Sequence, residues 1–221
     1  MLLPGEIYPD KSDRPGYSFG ARHHGEWNRY GEKGHTAPPD LHPTQARKVG
    51  PKRVNFNQRL PYECKDSAKD PEECQLLSDM ISPISEYLEE HLPALIPDVF
   101  SVWETYANSL PLASIPPAYP FTGLVLNLCV STSAHKDIND ESLCVVVPFG
   151  NKWTGGELCL FEPGLVVDLQ PGDVIVFPSS QITHFNAHMN GERGSFVLYS
   201  DKKMGDWVKE ANGWEDHIAR H

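Results

Sequence analysis

From Phe121 onward the chain is cut into short runs of β-branched and apolar residues, each closed after a few positions by Gly, Pro, Asp or Asn. No single run is long enough to bury a core alone. Such segments must pair edge to edge, and short, regularly spaced strands with Pro/Gly punctuation indicate a sandwich or barrel. The pattern predicts strands near 122–130, 134–138, 143–148, 156–161, 165–169, 173–178, 181–187 and 193–200. In "QPGDVIVF", Pro171 and Gly172 suit the tight bend that launches a strand. Eight strands of this kind fit a jelly roll, that is, a double-stranded β-helix.

The period is different upstream. "DPEECQLLSDMISPISEYLEEHL" spaces Leu76, Leu77, Met80, Ile81, Ile84 and Leu88 by three and four, the apolar stripe of an amphipathic helix. Asp70 followed by Pro71 is an N-cap and first-turn pair. Pro83 is expected to kink or divide the helix, and a second helix, about Ile96 to Leu110, to follow Pro93. Residues 1–60 hold seven Pro and seven Gly with little apolar periodicity, and read as an irregular arm. The expected class is α+β, mainly β: a jelly-roll core buttressed by helices, with a long N-terminal arm. The layout is 1–60 arm, 61–115 supporting helices, and 116–221 jelly-roll core ending in a helical tail near 203–219, one folded catalytic domain overall.

Charge narrows the function classes. The net charge is −11, but residues 1–60 carry a balance of +4 and residues 61–221 a balance of −15. Acidity of that size opposes nonspecific nucleic-acid binding, which rests on cationic neutralisation of phosphates. The basic stretch "ARKVGPKR" (46–53) reads as a solvated loop or a local phosphate contact. His23, His24, His35 and His42 lie in the arm without regular spacing and read as surface histidines. The five cysteines are odd in number and lack C-x-x-C spacing, so they read as reduced residues and not as a disulfide or zinc framework. No apolar run reaches the roughly 18 residues of a membrane span. An intracellular protein, nuclear or cytoplasmic, is expected.

Within the strands, His135 and Asp137 stand two apart, and residues two apart in a strand share a face. A partner from a later strand is available in "QITHFNAH": His184, with Ile182 and Asn186 on its face and Thr183 and Phe185 turned away. In "GERGSFVLYS", Arg193, Ser195 and Val197 share a face, offering a cation, a hydroxyl and an apolar wall. Arg suits the binding of a dicarboxylate tail because its planar fork pairs bidentately with carboxylate. Two histidines and one carboxylate form the facial triad of non-haem Fe(II) oxygenases, which leaves positions open for 2-oxoglutarate and O2. H-x-D alone is a weak signal. H-x-D, a "GGEL" turn, a PGD turn, a histidine 49 residues after the first, and an arginine nine residues further on make a strong one.

The segment "HKD…GGELCLFEPG…LQPGDVIVF…THFNAHMNGERGSFVLYSD" resembles the Fe(II)/2-oxoglutarate dioxygenase superfamily, and more narrowly its TET/JBP-like branch, fungal versions included. The likeness covers about residues 120–201. It implies iron held by His135, Asp137 and His184, which are also the catalytic residues, and the 5-carboxylate of 2-oxoglutarate on Arg193, assisted by Asn127 and Ser195. For Asn127 and Ser195, core hydrogen bonding stays open beside ligand contact. It also implies a substrate methyl group on a nucleobase in DNA, as 5-methylcytosine, thymine or N6-methyladenine. Lys136, Asn139, Phe149 and Trp153 are placed as substrate contacts, against the plainer readings of solvated loop and core aromatic. Three alternatives remain: hydroxylation of a protein side chain or small molecule, which the acidity favours; a non-catalytic jelly-roll binding module; and a structural or interaction protein that uses the basic arm.

Overall fold

Seven short strands separated by turn residues close into two facing antiparallel sheets in the computed structural model, which describes residues 20–29, 60–111 and 114–213. The basic stretch 46–53, His35, His42 and the end of the helical tail lie outside the described residues. The chain divides into two compact units, one built on Leu124–Tyr199, the other on His24–Gly123 and the segment from Ser200.

The first unit is the jelly roll. Its larger sheet runs in the order β3 (Gly123–Leu128), β9 (Met189–Tyr199), β4 (Cys144–Gly155), β7 (Ile175–Phe177). Its smaller sheet runs β6 (Leu165–Val167), β5 (Leu158–Leu160), β8 (His184–Asn186). Alternation sends every second side chain inward. Cys144, Val146, Phe177 and Tyr199 of the larger sheet meet Leu158 and Leu160 of the smaller in one buried cluster, with Val125, Ile182 and Val197 packed against it. Burial of these side chains, at about 25 cal/mol per Å² of apolar surface, holds the two sheets face to face. Strands form at the other seven predicted places, β4 running past 148 to Gly155 and β9 starting early at Met189, but 134–138 does not form one. A left-handed Cys129 (φ 51°) ends the run from β3, and the polar residues that follow make a bridge at His135 and a turn at 138–139.

In the second unit, α1 (Lys65–Lys69) precedes α2 (Pro71–Leu95) and α3 (Pro97–Asn108). The Asp70 carboxylate accepts the Glu73 amide at 2.9 Å, the expected cap. Helix α2 runs through both Pro83 and Pro93 without dividing. The carbonyls each proline leaves without an amide belong to Asp79 and Glu89, both exposed, where water can serve them. The break falls at Ile96 instead, because Pro97 drives the residue before it out of the helical region. The buried column is Leu77, Ile81, Ser85, Leu88 and Leu92, while Leu76 and Met80 of the expected stripe are about half exposed. Trp103 packs on Phe121 at 4.7 Å, and Tyr106, Leu110 and Met204 form a second small core.

The arm is not wholly irregular. Gly20–Trp27 forms β1, which pairs with β2 (Tyr62–Glu63) through Glu26 and Trp27. His24, expected at the surface, is fully buried beside the Ser67 hydroxyl. The C-terminal helix is α4 (Met204–Glu210), followed by a 3-10 turn over Ala211–Gly213.

Candidate metal centre

The strand β8 fixes one side of the site. Leu158 and Leu160 of β5 face the core and pair with Asn186 and His184, so His184 points inward and Phe185 outward, as alternation requires. His135 lies directly opposite His184, joined by two backbone hydrogen bonds of 3.1 and 2.9 Å. The two imidazoles are therefore neighbours, with ring centroids 4.4 Å apart. Each ring turns its Nδ1 to the carbonyl two residues earlier: His135 to Ser133 at 2.8 Å, His184 to Ile182 at 3.0 Å. A carbonyl can only accept, so each Nδ1 carries a proton, and each Nε2 is the nitrogen left to ligate a metal in place of a proton. The Asp137 carboxylate faces both, with Oδ1 3.8 Å from His135 Nε2 and Oδ2 3.4 Å from His184 Nε2.

The three ligand atoms lie within 4.8 Å of one another. Three ligand atoms this close could be shared by one metal ion. One flank is closed by the edge of Phe177, 5.0 Å from the His184 ring. The His135 and Asp137 side chains are each 38% exposed, which leaves the other flank open to ligands. Burial is the largest influence on His184 and opposes a charge there, but the Asp137 hydrogen bond and charge, the Ile182 carbonyl and the charge of Asp140 together outweigh it and raise its pKa.

Residues distant in sequence hold the loop that carries Asp137. Its amide donates to the Ser179 carbonyl at 3.0 Å, and its carbonyl accepts from the Asp140 amide at 2.8 Å. The Ser179 hydroxyl donates to the Asp140 carboxylate at 2.8 Å, with both residues buried. Outside, Glu162 ties the two ligand segments together. It accepts from Lys136 at 2.9 Å and from the amide and hydroxyl of Thr183 at 2.6 and 2.8 Å. Lys136 and then Thr183 hold the Glu162 carboxyl down at a pKa of about 2. Sequence reasoning missed Ser179, Asp140 and Glu162. The turn-forming "IND" was a signal for Asp140, and nothing local marks the other two.

Arg193, Ser195 and Val197 pair with Gly150, Pro148 and Val146, so all three face the interior. Arg193 is only 5% exposed, and its Nε and Nη2 are buried without an acceptor. Burial lowers its pKa. Gly156 (φ 76°) gives it room, since a Cβ there would stand 3.3 Å from Arg193 Cδ. Asn127 shares the inner face of β3 with Val125. Asn139 sits in the exposed turn beside Asp140. Phe149 does not join the site: it pairs with Gly194 on the opposite face of the sheet from Arg193, lies against that glycine, and stacks on Phe196 at 4.7 Å. Trp153 stands over the Arg193 guanidinium, 5.9 Å from its carbon. All five cysteines are free thiols, and the His188 side chain is exposed.

Residues 53–202 match the Tet_JBP family model, described as the oxygenase domain of the 2OGFeDO superfamily. The chain belongs to this family. A Tet_JBP oxygenase domain is a dioxygenase domain, and its superfamily uses Fe(II), 2-oxoglutarate and O2, which suits the donor set described above. Among solved structures, the complex "NgTET1 in complex with 5mC DNA" is similar over 86% of this chain and 63% of its own, with 18% identity and a TM-score of 0.60. The chain thus spans less than two thirds of that relative. An oxidoreductase of the 2OG-Fe(II) oxygenase family from Burkholderia pseudomallei covers 36% of this chain and 41% of its own at 24% identity, TM-score 0.33. A Pseudomonas putida prolyl-4-hydroxylase covers 36% and 48% at 22% identity, TM-score 0.32. No curated protein matches the chain. Among the described residues, no helix is long and apolar enough to cross a membrane.

Proposed function

We propose that this Tet_JBP domain hydroxylates a methyl group carried by a nucleobase in DNA, with 5-methylcytosine, thymine and N6-methyladenine as the candidate bases. His135, Asp137 and His184 hold Fe(II), and Arg193 takes the distal carboxylate of 2-oxoglutarate, with Asn127 and Ser195 beside it. One observation carries this reading: three converging ligand atoms share their fold unit with a buried guanidinium that has two N–H groups without acceptors. A keto diacid that chelates iron at one end calls for a cation at the other, and leaving that cation unpaired is costly. Two imidazoles and one carboxylate with an open flank suit a facial iron site better than a closed zinc site, which favours four protein ligands and thiolates.

When bound, iron and 2-oxoglutarate would supply, with O2 as the oxidant, the chemistry that converts a substrate C–H into C–OH, one oxygen atom going to the substrate and the other to the succinate formed as the diacid loses CO2. The chain's own residues hold, orient and shield. The Ser133 and Ile182 carbonyls keep both imidazoles in the ligating tautomer. Phe177 and the apolar cluster behind it exclude water from the inner flank. Lys136 and Asn139 lie beside the open flank, where a base extruded from the duplex would arrive.

The DNA substrate is supported by family membership and by the likeness to a TET protein bound to 5mC DNA. It also makes the nucleus the natural location in a nucleated cell. The −15 balance of residues 61–221 favours a second reading, in which the same chemistry acts on a protein side chain or small molecule. Mass spectrometry of oligonucleotides carrying each base, incubated with Fe(II), 2-oxoglutarate and O2, separates them. Gain of oxygen on a C-methyl group, or loss of an N-methyl group as formaldehyde, supports the nucleobase reading. Succinate formation with every oligonucleotide unchanged overturns it in favour of the second.

A further inference from the structure

Strand alternation places Trp153 on the outer face of β4, together with Phe149. The pairing with β9 slips between Gly150 and Trp153: Gly150 opposes Arg193, but Trp153 opposes Gly191 and not Asn190. A slip of one residue turns a side chain to the other face of the sheet. This bulge brings Trp153 onto the inner face that Arg193 occupies.

Glycines accommodate the arrangement. A Cβ at Gly150 (φ 139°) would lie 3.2 Å from the Trp153 ring, and one at Gly191 (φ 117°) 2.9 Å from Trp153 Cα. A Cβ at Gly156 would crowd Arg193 at Cδ and Nε, 3.3 and 3.6 Å away. The Arg193 side chain therefore passes close to Gly156, and its guanidinium lies by the Trp153 ring in a slot these residues leave, at a cation–π distance of 5.9 Å. An aromatic face attracts a cation without consuming its N–H groups. Arg193 Nε and Nη2, buried without acceptors, stay available for a carboxylate.

We infer that Trp153 is a positioning residue for the co-substrate, holding the Arg193 guanidinium ready for the distal carboxylate, and is not a stacking partner for the substrate. The inference rests on the reading of Arg193 as the 2-oxoglutarate anchor. The slot is set before the diacid arrives, so removing the ring weakens co-substrate binding and leaves the metal and the substrate alone.

The test is anaerobic calorimetric titration of 2-oxoglutarate into the Mn(II)-loaded full chain. Trp153→Leu is expected to weaken binding about tenfold and Trp153→Phe to restore it to within about threefold, as the ranking of aromatic faces for cations implies. Mn(II) affinity, kcat at saturating 2-oxoglutarate and KM for the primary substrate stay at wild-type values. Tryptophan emission of the wild type changes on adding 2-oxoglutarate, and this change is absent in Trp153→Phe, a measurement that stands even where Trp153→Leu does not fold. Wild-type affinity in Trp153→Leu, or an unaltered emission response in Trp153→Phe, overturns the inference. So does equal weakening by Leu and Phe with an equal fall in Tm, which marks a packing role. Arg193→Met separates the two layers. If it binds 2-oxoglutarate normally, the anchor reading itself fails. If it loses binding while both Trp153 variants keep it, only the role of Trp153 fails.

Discussion

The two ends of the site are built on opposite principles. At the metal end, every group is oriented by a partner: Nδ1 atoms on carbonyls, Nε2 atoms on Asp137, and the Asp137 loop on Ser179 and Asp140. At the Arg193 end, a buried cation has donors with nothing to meet them. The metal end is organised before it is filled, and the Arg193 end is completed only by a ligand. Changes at the first should act on metal affinity, and changes at the second should exchange co-substrate affinity for stability of the empty protein.

The largest effect should come from His184→Ala. Loss of a ligand should abolish metal binding, more than the roughly 10- to 100-fold cost of losing an outer partner, as read by Mn(II) titration and turnover. Next is Arg193→Met. Its 2-oxoglutarate affinity should fall by roughly 30-fold or more, as truncating a buried charge that pairs with ligand implies. Thermal melts of the same apo variant should show stability unchanged or raised by about 1 kcal/mol, because an uncompensated buried cation is removed. That opposition of signs would be absent if Arg193 were a structural ion-pair member. Ser179→Ala should weaken Mn(II) binding about tenfold, the usual scale for a group that orients a ligand, with little effect on co-substrate affinity once metal is saturating. Glu162→Gln should do least. It keeps an acceptor for Thr183 and loses only a solvent-exposed ion pair, so a change of about two- to threefold in Mn(II) affinity is expected. A tenfold loss there would show that the metal end depends on its outer surface as well as its core.

The residues most legible in the sequence are those whose direction follows from local alternation. His184 and Asn186 on β8, with Ile182 just before it, and Arg193, Ser195 and Val197 on β9, face as the period of two requires. His135 and Asp137 also meet His184, but by a different route: the predicted strand is a bridge and a turn, and cross-chain hydrogen bonds to His184 and Ser179 bring them together. Alternation failed wherever the backbone left it. The slip after Gly150 moved Trp153 inward, and the left-handed Cys129 ended the run from β3 ahead of the predicted strand 134–138. On α2 the sequence offers adjacent apolar columns at Leu76 and Leu77, and only packing selects the second. Glu162 and Ser179 act on residues 21 to 42 positions away, which no local pattern encodes.

In the proposed function, one triad and one arginine together hold iron and 2-oxoglutarate. Anaerobic addition of Fe(II) and 2-oxoglutarate tests it most directly through the visible charge-transfer band of the chelated pair. A band is expected in the wild type, none in His184→Ala, and in Arg193→Met a band that develops only at much higher 2-oxoglutarate. No band in the wild type, or the same band in His184→Ala, would contradict it.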